Sequence, residues 1–231
     1  MPGRKIPLVT NYFYHVYNQG VGRQPTFTNK REYRRALQTI NFYQHLHPPV
    51  KLSFLLKLNQ KRQKEILDPL EKANQRLVSI LAYCLMPNHF HLILQQLAKD
   101  GISKFMSNFQ NSYTRYFNTN HKRKGPIFLN QFKAVLIETE DQLVHLARYI
   151  HLNPYSSYLI KSLPQIKTYP WSSLGEYLNQ NSGFAICQKN LLTAQFKTAK
   201  EHWDFISSRA KYQRELETIK HLTLEDQPIN S

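Results

Sequence analysis

Cysteine is nearly absent: the 231 residues contain only Cys84 and Cys187, with no C-x-x-C pair. That argues against a disulfide scaffold or a multi-cysteine zinc site and suits a reducing cytoplasm. Long apolar runs are missing as well. No stretch reaches the ~18 residues that a membrane span needs, and the first ten residues have no apolar signal core. The expectation is a soluble, cytoplasmic protein with no membrane partner. No internal repeat is visible. The third scarcity is of acids: 15 Asp and Glu stand against 31 Lys and Arg, a formal net charge of +16, and none occurs between Asp100 and Glu138.

What is present is enough to fold. Apolar residues make up 41% of the chain and aromatics 13%, which supplies a core and excludes a disordered basic tail. The charge is unevenly placed. Up to Ile137 there are 21 basic and 5 acidic residues, and from Glu138 onward there are 10 of each, so the whole excess lies in the first part. Within the acid-free stretch Lys104, Arg115, Lys122, Arg123, Lys124 and Lys133 alternate with Phe105, Phe109, Tyr113, Tyr116 and Phe117. For any one of these a solvated helix face or a core aromatic is the ordinary reading. Taken together they suit a polyanion whose bases can stack, that is, nucleic acid.

The pattern of elements is strand, helix, strand, strand, helix, strand, helix. Residues 12–18 are aromatic and β-branched enough for a strand. Thr28 or Asn29 can cap a helix to about residue 47, stopped by Pro48-Pro49. A polar, basic excursion follows over 57–76. The apolar runs 77–86 and 91–96, joined through Pro87-Asn88, are expected to pair antiparallel. A helix over 102–118, a strand over 132–138 and a helix over 139–152, ended by Asn153-Pro154, complete the order. This matches an α+β, ferredoxin-like (split βαβ) antiparallel sheet with helices packed on it. The expected division is a catalytic domain over 11–155, with a basic insertion at about 48–76, and a helical C-terminal appendage over 156–231.

Two local patterns can carry chemistry. In His89-Phe90-His91, residues i and i+2 of a strand point to one face, so two imidazoles sit side by side as metal ligands do. Ten histidines make chance pairs common, but two titratable rings on a buried face need partners. In Tyr149-Ile150-His151-Leu152-Asn153-Pro154, a helix brings Tyr149 and Asn153 to one face as i and i+4. The ordinary readings are an amphipathic core tyrosine and an Asn at a helix C-terminus before proline.

Taken in order, Tyr14-His15-Val16-Tyr17-Asn18-Gln19-Gly20, Met86-Pro87-Asn88-His89-Phe90-His91-Leu92, Tyr113-Thr114-Arg115-Tyr116-Phe117-Asn118, Gln131-Phe132-Lys133-Ala134, Arg148-Tyr149-Ile150-His151-Leu152-Asn153-Pro154 and Tyr169-Pro170-Trp171-Ser172-Ser173 resemble the single-tyrosine transposases with the His-hydrophobic-His motif. Within that family they are most similar to the REP-associated tyrosine transposases. The resemblance runs from about residue 11 to 177. Gln19 stands where the family usually has Arg, and the basic excursion is longer than usual.

The resemblance implies a metal-dependent single-stranded DNA endonuclease and strand transferase that cuts beside a DNA hairpin. His89, His91 and the side-chain oxygen of Asn153 would hold one divalent cation, Mg²⁺ or Mn²⁺, and Tyr149 would attack the phosphorus to give a 5′-phosphotyrosine link. Tyr113 and Tyr116 are rival phenols, but Phe117 stands four residues after Tyr113 and offers no ligand atom. Asn120, four after Tyr116, lies where the helical pattern lapses. Arg115, Lys122, Arg123, Lys124, Lys133, Tyr113 and Tyr116 are the candidate DNA contacts. The partner would be single-stranded DNA with hairpin or palindromic ends, and a monomer is favoured over a homodimer. The alternatives are a replication-initiator or relaxase-like nicking enzyme and a non-catalytic nucleic-acid-binding module.

Overall fold

The computed structural model describes residues 7–180 and 184–225, with side chains described up to residue 218; the first residues of the chain and the last of the expected tail lie outside them. Four strands form one sheet: β1 (Phe13–Gln19), β2 (Val78–Met86), β3 (His89–Gln96) and β4 (Lys133–Ile137), in the order β2-β3-β1-β4 with every pair antiparallel. The helices are α1 (Lys30–Tyr43), α2 (Leu52–Leu55), α3 (Gln60–Ala73), α4 (Gly101–Asn120), α5 (Glu140–Ser156), α6 (Leu174–Tyr177), α7 (Asn190–Thr193), α8 (Ala199–Ser207) and α9 (Ala210–Glu225). This is the split βαβ arrangement that the element order predicts.

α1 and α4 cover one face of the sheet. Tyr14 and Val16 of β1, Phe90, Leu92 and Leu94 of β3, Leu37 and Ile40 of α1 and Phe105, Phe109 and Tyr113 of α4 share that core. α5 covers the other face at β2, with Leu143, Ala147 and Ile150 against Leu81, Cys84 and Ile93. The stretch 57–76 is an excursion containing a helix: nothing in α3 is buried, and Ile66, Leu67 and Leu70 close a small separate cluster with Phe42, Leu52 and Leu55.

α5 does not end at Asn153-Pro154 but runs on to Ser156. Proline removes the N–H that would have bonded one turn back, and its ring crowds the carbonyl there. The end is made by Ser157, whose N–H donates to the Asn153 carbonyl at 3.0 Å, and by Ile160, whose N–H donates to that of Pro154 at 2.8 Å. Asn153 is therefore inside the helix. Residues beyond α5 are stitched to the outer edge of β2: Leu85 N–H donates to Trp171, Ser173 N–H to Tyr83 and Gln188 N–H to Ile80. The Tyr169 hydroxyl donates to Leu85 and that of Tyr177 to Leu81. An edge strand needs such cover.

Candidate active site

Alternation along β1 and β3 decides which side chains meet. Their even-numbered residues enter the core under α1 and α4, so the odd-numbered His15, Tyr17, His89 and His91 rise on the α5 side. His15 Nε2 lies 2.9 Å from His91 Nδ1, and the two rings stack with centroids 5.1 Å apart. The Tyr17 ring lies 4.9 Å from that of His15 and 5.6 Å from that of His91. His89 meets His91 edge-on at 5.1 Å.

The hairpin tip carrying His89 is held from outside. Gly20 N–H donates to the Asn88 carbonyl, and the N–H groups of Thr26 and Phe27 both donate to that of Pro87. Residue 20 must be small, because a Cβ there would sit 2.2 Å from the Gln24 carbonyl oxygen. His89 Nδ1 lies 2.7 Å from the Asn88 side-chain oxygen. That oxygen only accepts, so Nδ1 carries the proton and Nε2 the lone pair, the orientation a metal ligand requires. Burial pulls the His89 pKa down, with the Glu217 carboxylate opposing it, and burial lowers that of His15 to about 4.

α5 supplies the phenol. Thr139 caps it by accepting from Gln142 N–H, and Glu140 and Asp141 occupy the first turn, where the helix dipole favours them. Ten residues on, the Tyr149 ring meets His91 edge-on at 5.9 Å. Burial raises the Tyr149 pKa and Glu217, brought by α9, adds to the rise; the nearby Asn153 amide pulls the other way. Asn153 is 6% exposed, and its Nδ2 is buried with no hydrogen-bond partner of normal geometry.

The donor set fits the divalent cation that the motif resemblance implies. Among the described residues no three His, Cys, Asp or Glu side chains are placed to hold a metal, so a third protein ligand has to be of another kind. Asn153 is a buried amide one helical turn from Tyr149 whose Nδ2 has no hydrogen-bond partner of normal geometry, and it carries an oxygen of the kind such a ligand needs. Two imidazoles and one amide oxygen are a mixed set that a divalent metal in a phosphate-handling site accepts.

Residues 53–153 match the family model described as IS200-like transposase. That stretch, somewhat under half of the chain, is similar to this family. A solved structure described as a REP-associated tyrosine transposase bound to a REP hairpin shares the fold, with a TM-score of 0.50 and 16% identity over 84% of this chain and 93% of that one. No curated protein matches. The matched stretch runs from α2 through Asn153 and so contains His89, His91 and Tyr149, whereas β1, with His15 and Tyr17, lies before it.

The other expected site residues are scattered. Tyr113 is 0% exposed, its hydroxyl donates to the Thr26 carbonyl at 2.6 Å, and burial raises its pKa strongly; it belongs to the core opposite the histidines, neither a nucleophile nor a DNA contact. Tyr116 is half-buried on the outer side of α4, under the Arg35 guanidinium. Arg115, Lys122 and Lys124 are exposed, and Arg123 donates to the Pro126 carbonyl and lies over the Phe117 ring. Lys133 is exposed on β4, opposite Tyr17 in register, and so shares the histidine face. Three residues near the centre escaped sequence reasoning: His15, Tyr17 and Glu217. The first two were detectable, since 15 and 17 alternate with the apolar 14 and 16; Glu217, on a late helix, left no signal.

Proposed function

We propose that the chain is a metal-dependent single-stranded DNA endonuclease and strand transferase that cuts beside a hairpin. Tyr149 is the nucleophile, and His89, His91 and Asn153 hold Mg²⁺ or Mn²⁺. The observation that carries this reading is the convergence of the Tyr149 phenol on His91, with the buried Asn153 side chain one turn further along α5. When bound, the cation supplies charge to the phosphoryl oxygens and offsets the negative charge that develops there.

The remaining work falls to the chain itself. His15 and Asn88 hold the two imidazoles in place. The Tyr149 oxygen attacks the phosphorus in line; the new O–P bond forms as the bond to the 3′-oxygen breaks, the phenolic proton passes to solvent and the departing 3′-oxygen takes one up. The result is a 5′-phosphotyrosine and a free 3′-hydroxyl. A diester has been exchanged for a diester, so the strand can be rejoined to another end. Lys133 borders the same face, and it and the exposed Lys122 and Lys124 of the loop after α4 are the positioning contacts to the backbone of hairpin DNA.

The test is a labelled single strand bearing a hairpin, incubated with the protein and Mg²⁺ or Mn²⁺ and resolved on a denaturing gel. A covalent adduct is expected from the wild type and from Tyr116→Phe, and none from Tyr149→Phe. An adduct that persists in Tyr149→Phe sinks the assignment, and its absence from the wild type would favour a module that only binds.

A further inference from the structure

On the outer side of the α1–α4 layer, with the sheet between it and the histidines, α1, α4 and the segment 48–57 enclose a groove of about 880 Å³. That volume falls in the roughly 300–1,000 Å³ range of small-ligand sites. Its floor holds Arg35, which is only 9% exposed. Among the described residues no carboxylate pairs with Arg35, its buried Nε makes no hydrogen bond, and its guanidinium carbon sits 5.1 Å from the centroid of the Tyr116 ring. Burial pulls its pKa down. Keeping Nε out of water without a partner carries a cost, and an anion arriving from the groove at the guanidinium would offset it.

The walls point to the same ligand. None of the lining residues is acidic, while Lys51, Lys57 and Arg115 stand exposed around the opening. Tyr116 offers a half-exposed ring, and Asn111 an amide able to donate and accept. Cations over a buried fork suit a phosphodiester, and an aromatic face beside an amide suits a base.

We propose that this groove binds a phosphodiester and its adjoining base in an unpaired stretch of DNA, with Arg35 and the two lysines on the phosphate, Tyr116 stacked on the base and Asn111 at its edge. The inference rests on the DNA-processing reading and adds a second contact area, on the opposite side of the sheet from Tyr149. The base bound there is accordingly not the one next to the scissile phosphate.

The experiment uses the full chain carrying Tyr149→Phe, so that no covalent product forms, with fluorescein-labelled dT12 and a hairpin bearing an unpaired flank. Anisotropy titrations over a salt series are expected to show at least a fivefold loss of affinity in Lys51→Gln/Lys57→Gln. The log–log salt slope should become shallower by up to about 0.7, the contribution of one phosphate contact on a single strand. Lys161→Gln/Lys200→Gln removes the same charge elsewhere and is expected to change affinity less than twofold. Arg35→Lys keeps the charge without the fork and should weaken binding with its melting temperature retained. Photocrosslinking of a bromodeoxyuridine-substituted strand should map to the tryptic peptide beginning at Tyr116. Equal losses in both lysine pairs, unchanged affinity in the groove variants or crosslinks confined to other peptides would overturn the groove. Failure of the parent protein to bind either DNA would overturn both the groove and the reading beneath it.

Discussion

His15 Nε2 and His91 Nδ1 approach to 2.9 Å, so one of these nitrogens must carry a proton and the other accept it. The bond sets the rotation of the His91 ring, and the stacking of the two rings adds to the restraint. A ligand ring held in this way is already in its bound orientation, and freeing it typically costs 10–100-fold in metal affinity. On the proposed metal-site reading, His15→Ala should therefore weaken Mn²⁺ binding by about that factor without touching the cation itself. The measurement is free Mn²⁺ by electron paramagnetic resonance, in the absence of DNA and in a Tyr149→Phe background. Unchanged affinity would reduce His15 to packing. Asn153 differs, because its buried Nδ2 has no partner of normal geometry to orient the amide, and Tyr149 is its nearest functional neighbour on the helix.

At the scale of elements, legibility followed from whether an element's role depends on its own periodicity. β2 and β3 were plain, because Pro87-Asn88 sits between two apolar runs and alternation puts His89 and His91 on one face. α5 was plain up to Asn153, but its continuation through Pro154 rests on carbonyl partners from residues 157 and 160, which no pattern within the helix announces. The contact of His15 with His91 is a matter of strand register, 76 residues apart in sequence. Arg35 reads as a solvated position on a polar helix, and only the packing of α4 and the 48–57 segment around it shows otherwise. α9 is a further case. Its Arg214 guanidinium donates to the carbonyls of Tyr155 and Ile160 and lies 3.3 Å over the Tyr155 ring, while Gln213 donates to the Tyr149 carbonyl. Arg214→Ala should cost about 2–3 kcal/mol, from charge-assisted bonds to carbonyls and a lost cation–π contact. The denaturant midpoint should fall with the slope unchanged, and a midpoint equal to that of the wild type would show that α9 is held by other means.

Across the whole molecule, the basic excess lies in the part that builds the sheet and the groove, while the charge-balanced remainder begins just before the helix carrying Tyr149. Within that remainder, neutral histidines join its own elements. His151 of α5 is fully buried, with Nε2 2.9 Å from the Ser173 hydroxyl, and burial together with the neighbouring His202 lowers its pKa to about 3. His202 of α8 stacks on Phe196 at 4.3 Å, meets Tyr177 edge-on at 5.4 Å, and is lowered by burial to about 4. In the unfolded chain both rings titrate near 6.5. Above that pH neither state binds the proton, and the joint's contribution is intact. As pH falls from 6.5 towards 4 the unfolded chain takes up protons that the folded one refuses, so stability is lost, on the order of several kcal/mol for the two together. Calorimetric melting temperatures should fall steadily from pH 7 to pH 4.5. His202→Gln, which keeps a neutral side chain at every pH, should flatten that decline relative to the wild type. If the variant and the wild type lose stability in parallel, the proton uptake that unfolds the protein occurs elsewhere, and α8 is not held to α5 by an uncharged ring.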